Sequence, residues 1–189
     1  MAASAAVSTN HAAKNARGTQ RPIRLLGDPV LRTPTDPVTD FDAALATLVE
    51  DMFVSMYAAD GAGLAANQIG VSLSVFTYDC ADGADERHVG HVVNPVLVET
   101  GGELDDDTEG CLSMPGLHYS NPRPSFAVVT GFDVTGEPIR VEAHGGLFGR
   151  CLQHETDHLQ GMVFFDRLRG RAKRQAMRDA LAADWSQPR

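Results

Sequence analysis

Residues 153–161 read Gln153-His154-Glu155-Thr156-Asp157-His158-Leu159-Gln160-Gly161. On an α-helix, positions four apart lie one turn apart on the same face. His154 and His158 can therefore direct two imidazole nitrogens at one metal ion. Glu155, beside the first histidine, can act as general base towards a water at that ion. This is the HExxH pattern of metal-dependent hydrolases. Its plain alternative is two helical histidines flanking an exposed acid. The spacing predicts a helix from about Gly146 to Gln160, with Gly161 as its stop.

Outward from this helix, the chain divides into short elements. Asp40 is read as an N-cap, followed by Phe41, Leu45, Leu48, Val49, Met52, Phe53 and Met56 at helical spacing. This amphipathic helix ends before Asp60-Gly61. Strand-type runs follow at Ser72–Tyr78, Val89–Glu99, Ser125–Phe132 and Pro138–Ala143, separated by turn residues such as Thr135-Gly136. A last helix is predicted from about Gly170 to Asp184. Ahead of all these, Pro29, Pro34 and Pro37 break Ile23–Val38 into an extended, turning arm. The expected class is α+β, with antiparallel sheets packed around a central helix carrying His154 and His158.

The 189 residues suffice for one domain with a sizeable core. Residues 1–20, rich in small and polar types, are expected to be a disordered extension. They lack the apolar stretch of a secretory signal, and only Lys14 and Arg17 would charge a transit peptide. Order is expected near Ile23, within a single catalytic domain over residues 21–184 and a tail over 185–189. The formal net charge of −9 argues against a nucleic-acid coat, so no DNA partner is expected. No apolar run approaches the ~20 residues of a membrane span. Three cysteines without a CxxC pair favour a reducing, cytoplasmic setting.

A catalytic zinc-type site takes three protein ligands and keeps one position open. The extended zinc-protease pattern would need a histidine where Phe164 stands. No glutamate follows Glu155; Asp166, Asp179 and Asp184 remain formal options. Cys151 is a poor ligand, because it lies seven residues from His158, roughly 10.5 Å along a helix axis. It is expected instead to line the site. Cys111, in Glu109-Gly110-Cys111-Leu112-Ser113-Met114-Pro115, is the better candidate; a buried structural cysteine is the equal alternative. His118 is a weaker rival.

A third segment, Gly61-Ala62-Gly63-Leu64-Ala65-Ala66-Asn67-Gln68, permits close backbone approach to a ligand. It lacks the spacing of a dinucleotide or phosphate loop. The amide of Gln68 can donate to a developing oxyanion. Taken together, the three segments resemble the peptide deformylase family, whose signatures are GxGLAAxQ, EGCLSxP and QHExDHLxG. Here they run in order as Gly61–Gln68, Glu109–Pro115 and Gln153–Gly161. The opening Ile23–Arg32 is similar to the family's N-terminal arm, and the resemblance covers Ile23 to Leu168. Asn67 departs from it, since many members carry proline at that position.

The resemblance implies removal of the formyl group from formyl-methionyl nascent peptides. It implies a divalent ion, Fe²⁺ foremost with Zn²⁺, Ni²⁺ or Co²⁺ as substitutes, held by Cys111, His154 and His158. Glu155 would be the general base, with Gln68 and the Leu112 N–H at the oxyanion. Substrate would lie along Gly61, Ala62 and Gly63, with Leu147, Cys151 and Arg150 walling the methionine pocket. A Glu109–Arg123 ion pair would fix the Cys111 loop. Residues 167–178 hold six of the 16 Lys and Arg residues and no acid. This fits docking near the ribosomal exit tunnel, against the plainer reading of a solvated helix. Two competing functions, an HExxH endopeptidase and a non-catalytic metal-binding fold, are disfavoured by Phe164 and by the presence of both Glu155 and Gln68.

Overall fold

The described chain, residues 17–186 of a computed structural model, begins docked rather than free. Thr19 N–H donates to Asp51 Oδ1 at 2.6 Å, and Arg21 donates twice to Oδ2 of the same carboxylate. Asp51 is buried, and a buried charge needs such partners. Residues 17–20, expected in the extension, therefore belong to the folded body. Residues 1–16 and 187–189 lie outside the described residues, and with them most of the extension and tail expectations.

The arm runs into a 3₁₀ turn, Pro29–Arg32, whose N-cap Asp28 accepts from Val30 N–H. Asp36 then bridges to Leu73. Helix α1 spans Ala43–Ala58. Its N-cap is Asp42, not the expected Asp40. The Asp42 carboxylate reaches both Ala44 and Leu45 N–H, at 2.9 and 3.0 Å, whereas Asp40 accepts from Thr39 outside the helix. Phe41 thus precedes the helix and packs edge-on against Phe132.

Seven strands follow: β1 Gly63–Ala65, β2 Val75–Ala81, β3 Arg87–Asp105, β4 Thr108–Gly110, β5 His118–Ser120, β6 Arg123–Phe132 and β7 Pro138–His144. Five form an antiparallel sheet in the order β1-β2-β3-β6-β7, and β4 pairs with β5 in a second, small sheet. Strand β3 runs well past the expected Val89–Glu99. Its pairing with β6 shifts register at three places, one of them at Asn94, which has φ 49°. The three-residue strands β1, β4 and β5 escaped sequence reading because a periodicity needs more residues than they contain.

Helix α2, Gly146–Leu159, carries residues 154–158, and helix α3 spans Gly170–Ala182. Strand β2 is covered on both faces, so Val75, Phe76, Thr77 and Tyr78 are buried in succession rather than in alternation. Phe76, Tyr78 and Cys80 face the cluster around Phe148 and Leu152 of α2; Val75 faces Met52 and Met56 of α1. A third cluster packs Phe164, Phe165, Ala176 and Ala180 against Met114 of the Cys111 loop. Gly161, with φ 73°, ends the α2 region in a conformation that suits glycine.

Candidate metal centre and active site

Helix α2 is buried along nearly its whole length, including Arg150, Gln153, His154, Glu155, Asp157 and His158. Buried polar side chains on a helix must find partners in neighbouring elements. The partners come mainly from the segment β4–loop–β5. Pairing of Glu109 with Tyr119 sets that loop beside α2. Gly110 permits it, because a Cβ there would stand 2.5 Å from the His118 ring.

Three sulfur and nitrogen atoms converge. Cys111 Sγ lies 3.2 Å from His158 Nε2, which lies 3.1 Å from His154 Nε2. All three candidate donor atoms are within 4.8 Å of one another. Bonds of 2.0–2.3 Å to one tetrahedral ion imply donor separations of roughly 3.4–3.6 Å, so a small adjustment completes the geometry. Cys151 is not among them. It is buried at the cavity wall, with Sγ 3.8 Å from Ala62 O.

The tautomer of His154 follows from its surroundings. Its Nδ1 contacts Glu109 Oε1 at 2.5 Å and donates to it, leaving the Nε2 lone pair facing the cluster. Glu109 is itself clamped. Arg123 donates to both its oxygens at 2.7 and 2.6 Å, Arg150 at 3.1 Å and Asn121 at 2.9 Å. Burial pushes the Glu109 carboxyl up, but the hydrogen bonds from Arg123 and His154 outweigh it and hold it well below the carboxylate range. Arg123 also reaches Asp157, which Arg167 clamps from the outside. For His154, burial opposes a charge while Cys111 and Glu109 favour it, with a net upward result. For His158, burial and then His154 push downward. The donor set and its orientation fit a divalent cation.

Glu155 stands apart from that clamp. Its Oε2 has no hydrogen-bond partner among the described residues, and burial raises its pKa to about 7. A Cβ on Gly63 would lie 2.4 Å from Glu155 Oε1 and 2.6 Å from Cys151 Sγ. Only glycine lets edge strand β1 pass so close. Gln68 holds its own place: Oε1 accepts from Ala65 N–H at 2.9 Å, and Nε2 donates to Ser113 Oγ at 3.1 Å, 3.5 Å from Cys111 Sγ.

A cavity of about 610 Å³ opens over this cluster. Gly61, Ala62, Gly63, Gln68, Leu112 and Glu155 border it, as do Cys111, His154, Leu147, Cys151 and His118. Arg150 also borders it, but its guanidinium turns to Glu109, Asn121 O and Asp105 O; it braces the Cys111 loop. His118 is at the cavity and outside the three-atom cluster. Sequence reading missed Asn121, Ser113 and Asp157. Each acts through a partner distant in sequence, and the only available signal was their place within or beside the matched segments.

The family model described as polypeptide deformylase matches residues 20–174. A Streptomyces coelicolor protein named peptide deformylase 2 is 58% identical over 170 residues, covering 90% of this chain and 94% of that one. A Mycolicibacterium paratuberculosis peptide deformylase is 52% identical, covering 88% and 90%. The crystal structure of the Thermus thermophilus peptide deformylase superposes with a TM-score of 0.78 at 40% identity, covering 87% of this chain and 95% of that one.

Proposed function

The chain belongs to the polypeptide deformylase family, and from that premise we propose how its cavity performs the family's reaction. The protein is a metal-dependent hydrolase that removes the N-formyl group from nascent peptides, releasing formate. The site reading below is carried by one observation: a cysteine from a distant loop meets both histidines of α2.

Cys111, His154 and His158 hold one divalent ion, Fe²⁺ in the cell. A thiolate with two imidazoles also accepts Zn²⁺, Ni²⁺ or Co²⁺. When bound, such an ion polarises the formyl carbonyl and acidifies a water. Glu155 takes a proton from the attacking water and returns one to the departing amine; a pKa of about 7 suits both roles. Gln68 Nε2 and the Leu112 N–H stabilise the oxyanion. Glu109, with Arg123 and Arg150 behind it, keeps His154 oriented. The buried helix α2 serves as the axis around which sheets and loop assemble these groups.

The substrate backbone adds alongside Gly61–Gly63, which leads into β1 at an edge of the five-stranded sheet. Main-chain pairing there accommodates many sequences after the first residue. The methionine side chain rests against Leu147 and Cys151. Formate release from formyl-Met-Ala-Ser by anaerobically purified protein, with metal analysis of the same sample, tests this reading. Metal bound without formate release would refute it.

The C-terminal helix is proposed to dock on the ribosome near the exit tunnel, in the cytoplasm. Support comes from Arg171, Arg174 and Arg178, which are exposed on α3. No described helix is long and apolar enough to cross a membrane. Replacing these three arginines by glutamate should abolish salt-sensitive co-sedimentation with ribosomes while formate release from a tripeptide persists. Unchanged co-sedimentation would refute docking.

A further inference from the structure

The two histidines of α2 are held by different means. Orientation of a metal-ligating histidine normally comes from a hydrogen bond to its other ring nitrogen. His154 has that bond, to Glu109. His158 does not: its Nδ1 is buried with no partner among the described residues. The position of its ring therefore depends on where its main chain stands. His158 sits in the last turn of α2, where carbonyls lack intrahelical partners and helices fray.

Asn67 meets that need. It lies in the 3₁₀ turn Ala66–Ile69, one residue before Gln68, and is fully buried. Its Nδ2 donates to the main-chain carbonyl of His158 at 2.6 Å. Gly161 N–H donates to the same carbonyl at 3.0 Å, so both of its lone pairs are engaged. The amide's Oδ1 is buried without a hydrogen bond among the described residues. An unpaired buried oxygen works against folding. An asparagine here is therefore poorly explained by stability alone. A residue without a side-chain N–H at this position could not make this contact.

We propose that Asn67 is a positioning residue for His158, tying the last turn of α2 to the glycine loop. The tie brings the His158 ring and the Gln68 amide to one point. This rests on the reading that Cys111, His154 and His158 hold the ion. Asn67→Ala removes the donor, and Asn67→Asp sets an acceptor oxygen against the carbonyl.

The cobalt-loaded proteins provide the test. Both variants should lose cobalt to a chelator at least ~10-fold faster than the unmutated protein, the lower end for loss of an outer ligand support. Their visible absorption bands should shift. For formyl-Met-Ala-Ser, kcat should fall while KM stays within about twofold. A cooperatively melting Asn67→Ala with unchanged bands and unchanged cobalt release overturns the proposal.

Side-chain amide exchange of Asn67 in ¹⁵N-asparagine-labelled, unmutated protein provides a check that needs no variant. Exchange should slow on metal loading, and equal exchange in loaded and metal-free protein overturns the proposal. A thiolate-to-cobalt band in the unmutated protein, absent in Cys111→Ser, separates the two ideas. Its absence from the unmutated protein would refute the metal site itself; its presence beside unperturbed Asn67 variants would refute only the tie.

Discussion

Replacing Arg123 by methionine should cost about 3 kcal/mol of stability, the low end of the 3–5 kcal/mol for removing one partner of a buried ion pair. The structure supplies the reasons for both the size and the choice of the low end. Arg123 is among the largest fully buried side chains, and it serves two buried carboxylates, Glu109 and Asp157. Methionine fills the volume of the stem but offers no donor. Glu109 would retain Arg150, Asn121 and His154, and Asp157 would retain Arg167, so neither is left bare. For a chain of this size each kcal/mol corresponds to about 2–4 °C, which gives a drop in Tm of roughly 6–12 °C. Calorimetry of the metal-loaded proteins is the assay. Arg140→Met is the control: the Arg140–Glu142 pair is 53% and 44% exposed, and such pairs contribute at most ~1 kcal/mol. If Arg123→Met shifts Tm no further than Arg140→Met, the buried clamp on Glu109 is not a stabilising feature.

Three further outcomes are expected. Glu155→Ala should keep its metal, by elemental analysis, and lose ~10²–10⁴ of its formate-release rate; full activity would remove Glu155 from the proton transfers. Gly63→Ala, whose added methyl meets Glu155 Oε1 at 2.4 Å, should displace that carboxylate and cost up to ~10²-fold in kcat, and a wild-type rate would show that its placement is not critical. Tyr57, Tyr78 and Tyr119 are the chain's three tyrosines, and burial, first among the causes, raises each to about 12. Their folded values exceed the unfolded value of about 10, so this stabilisation is whole below about pH 10 and is lost as pH rises towards 12. Absorbance at an ultraviolet wavelength specific to tyrosinate should show no ionisation near pH 10 in folded protein; a tyrosine titrating there before unfolding contradicts the assigned burial.

Much of the site could be read by counting. The His154–His158 spacing is a property of one helix, and so is the argument against Cys151. The amphipathic α1 and the strands β2, β6 and β7 were legible because each is long enough to show a period. The misreadings have local causes. Asp40 and Asp42 both look like caps, and only the path of the chain decides which carboxylate meets the first free N–H groups. Residues 17–20 look like a polar tail because their anchor, Asp51, lies on another element. Arg150 is no misreading, since it borders the cavity; what only the fold shows is that its guanidinium turns to Glu109 and two main-chain carbonyls.

Within the HExxH stretch itself, sequence alone determined the face shared by two imidazoles and the acid beside them, because helical geometry is set by the local backbone. Composition alone left Cys111 no better than even as the third donor, and the family resemblance favoured it. Tertiary structure brought its sulfur to 3.2 Å from His158 through the pairing of two three-residue strands. It also decided which groups meet each histidine: the Glu109 carboxylate at the His154 ring and the Asn67 amide at the His158 main-chain carbonyl. Those contacts join elements distant in sequence, and burial, which makes them necessary, exists only once the elements have packed.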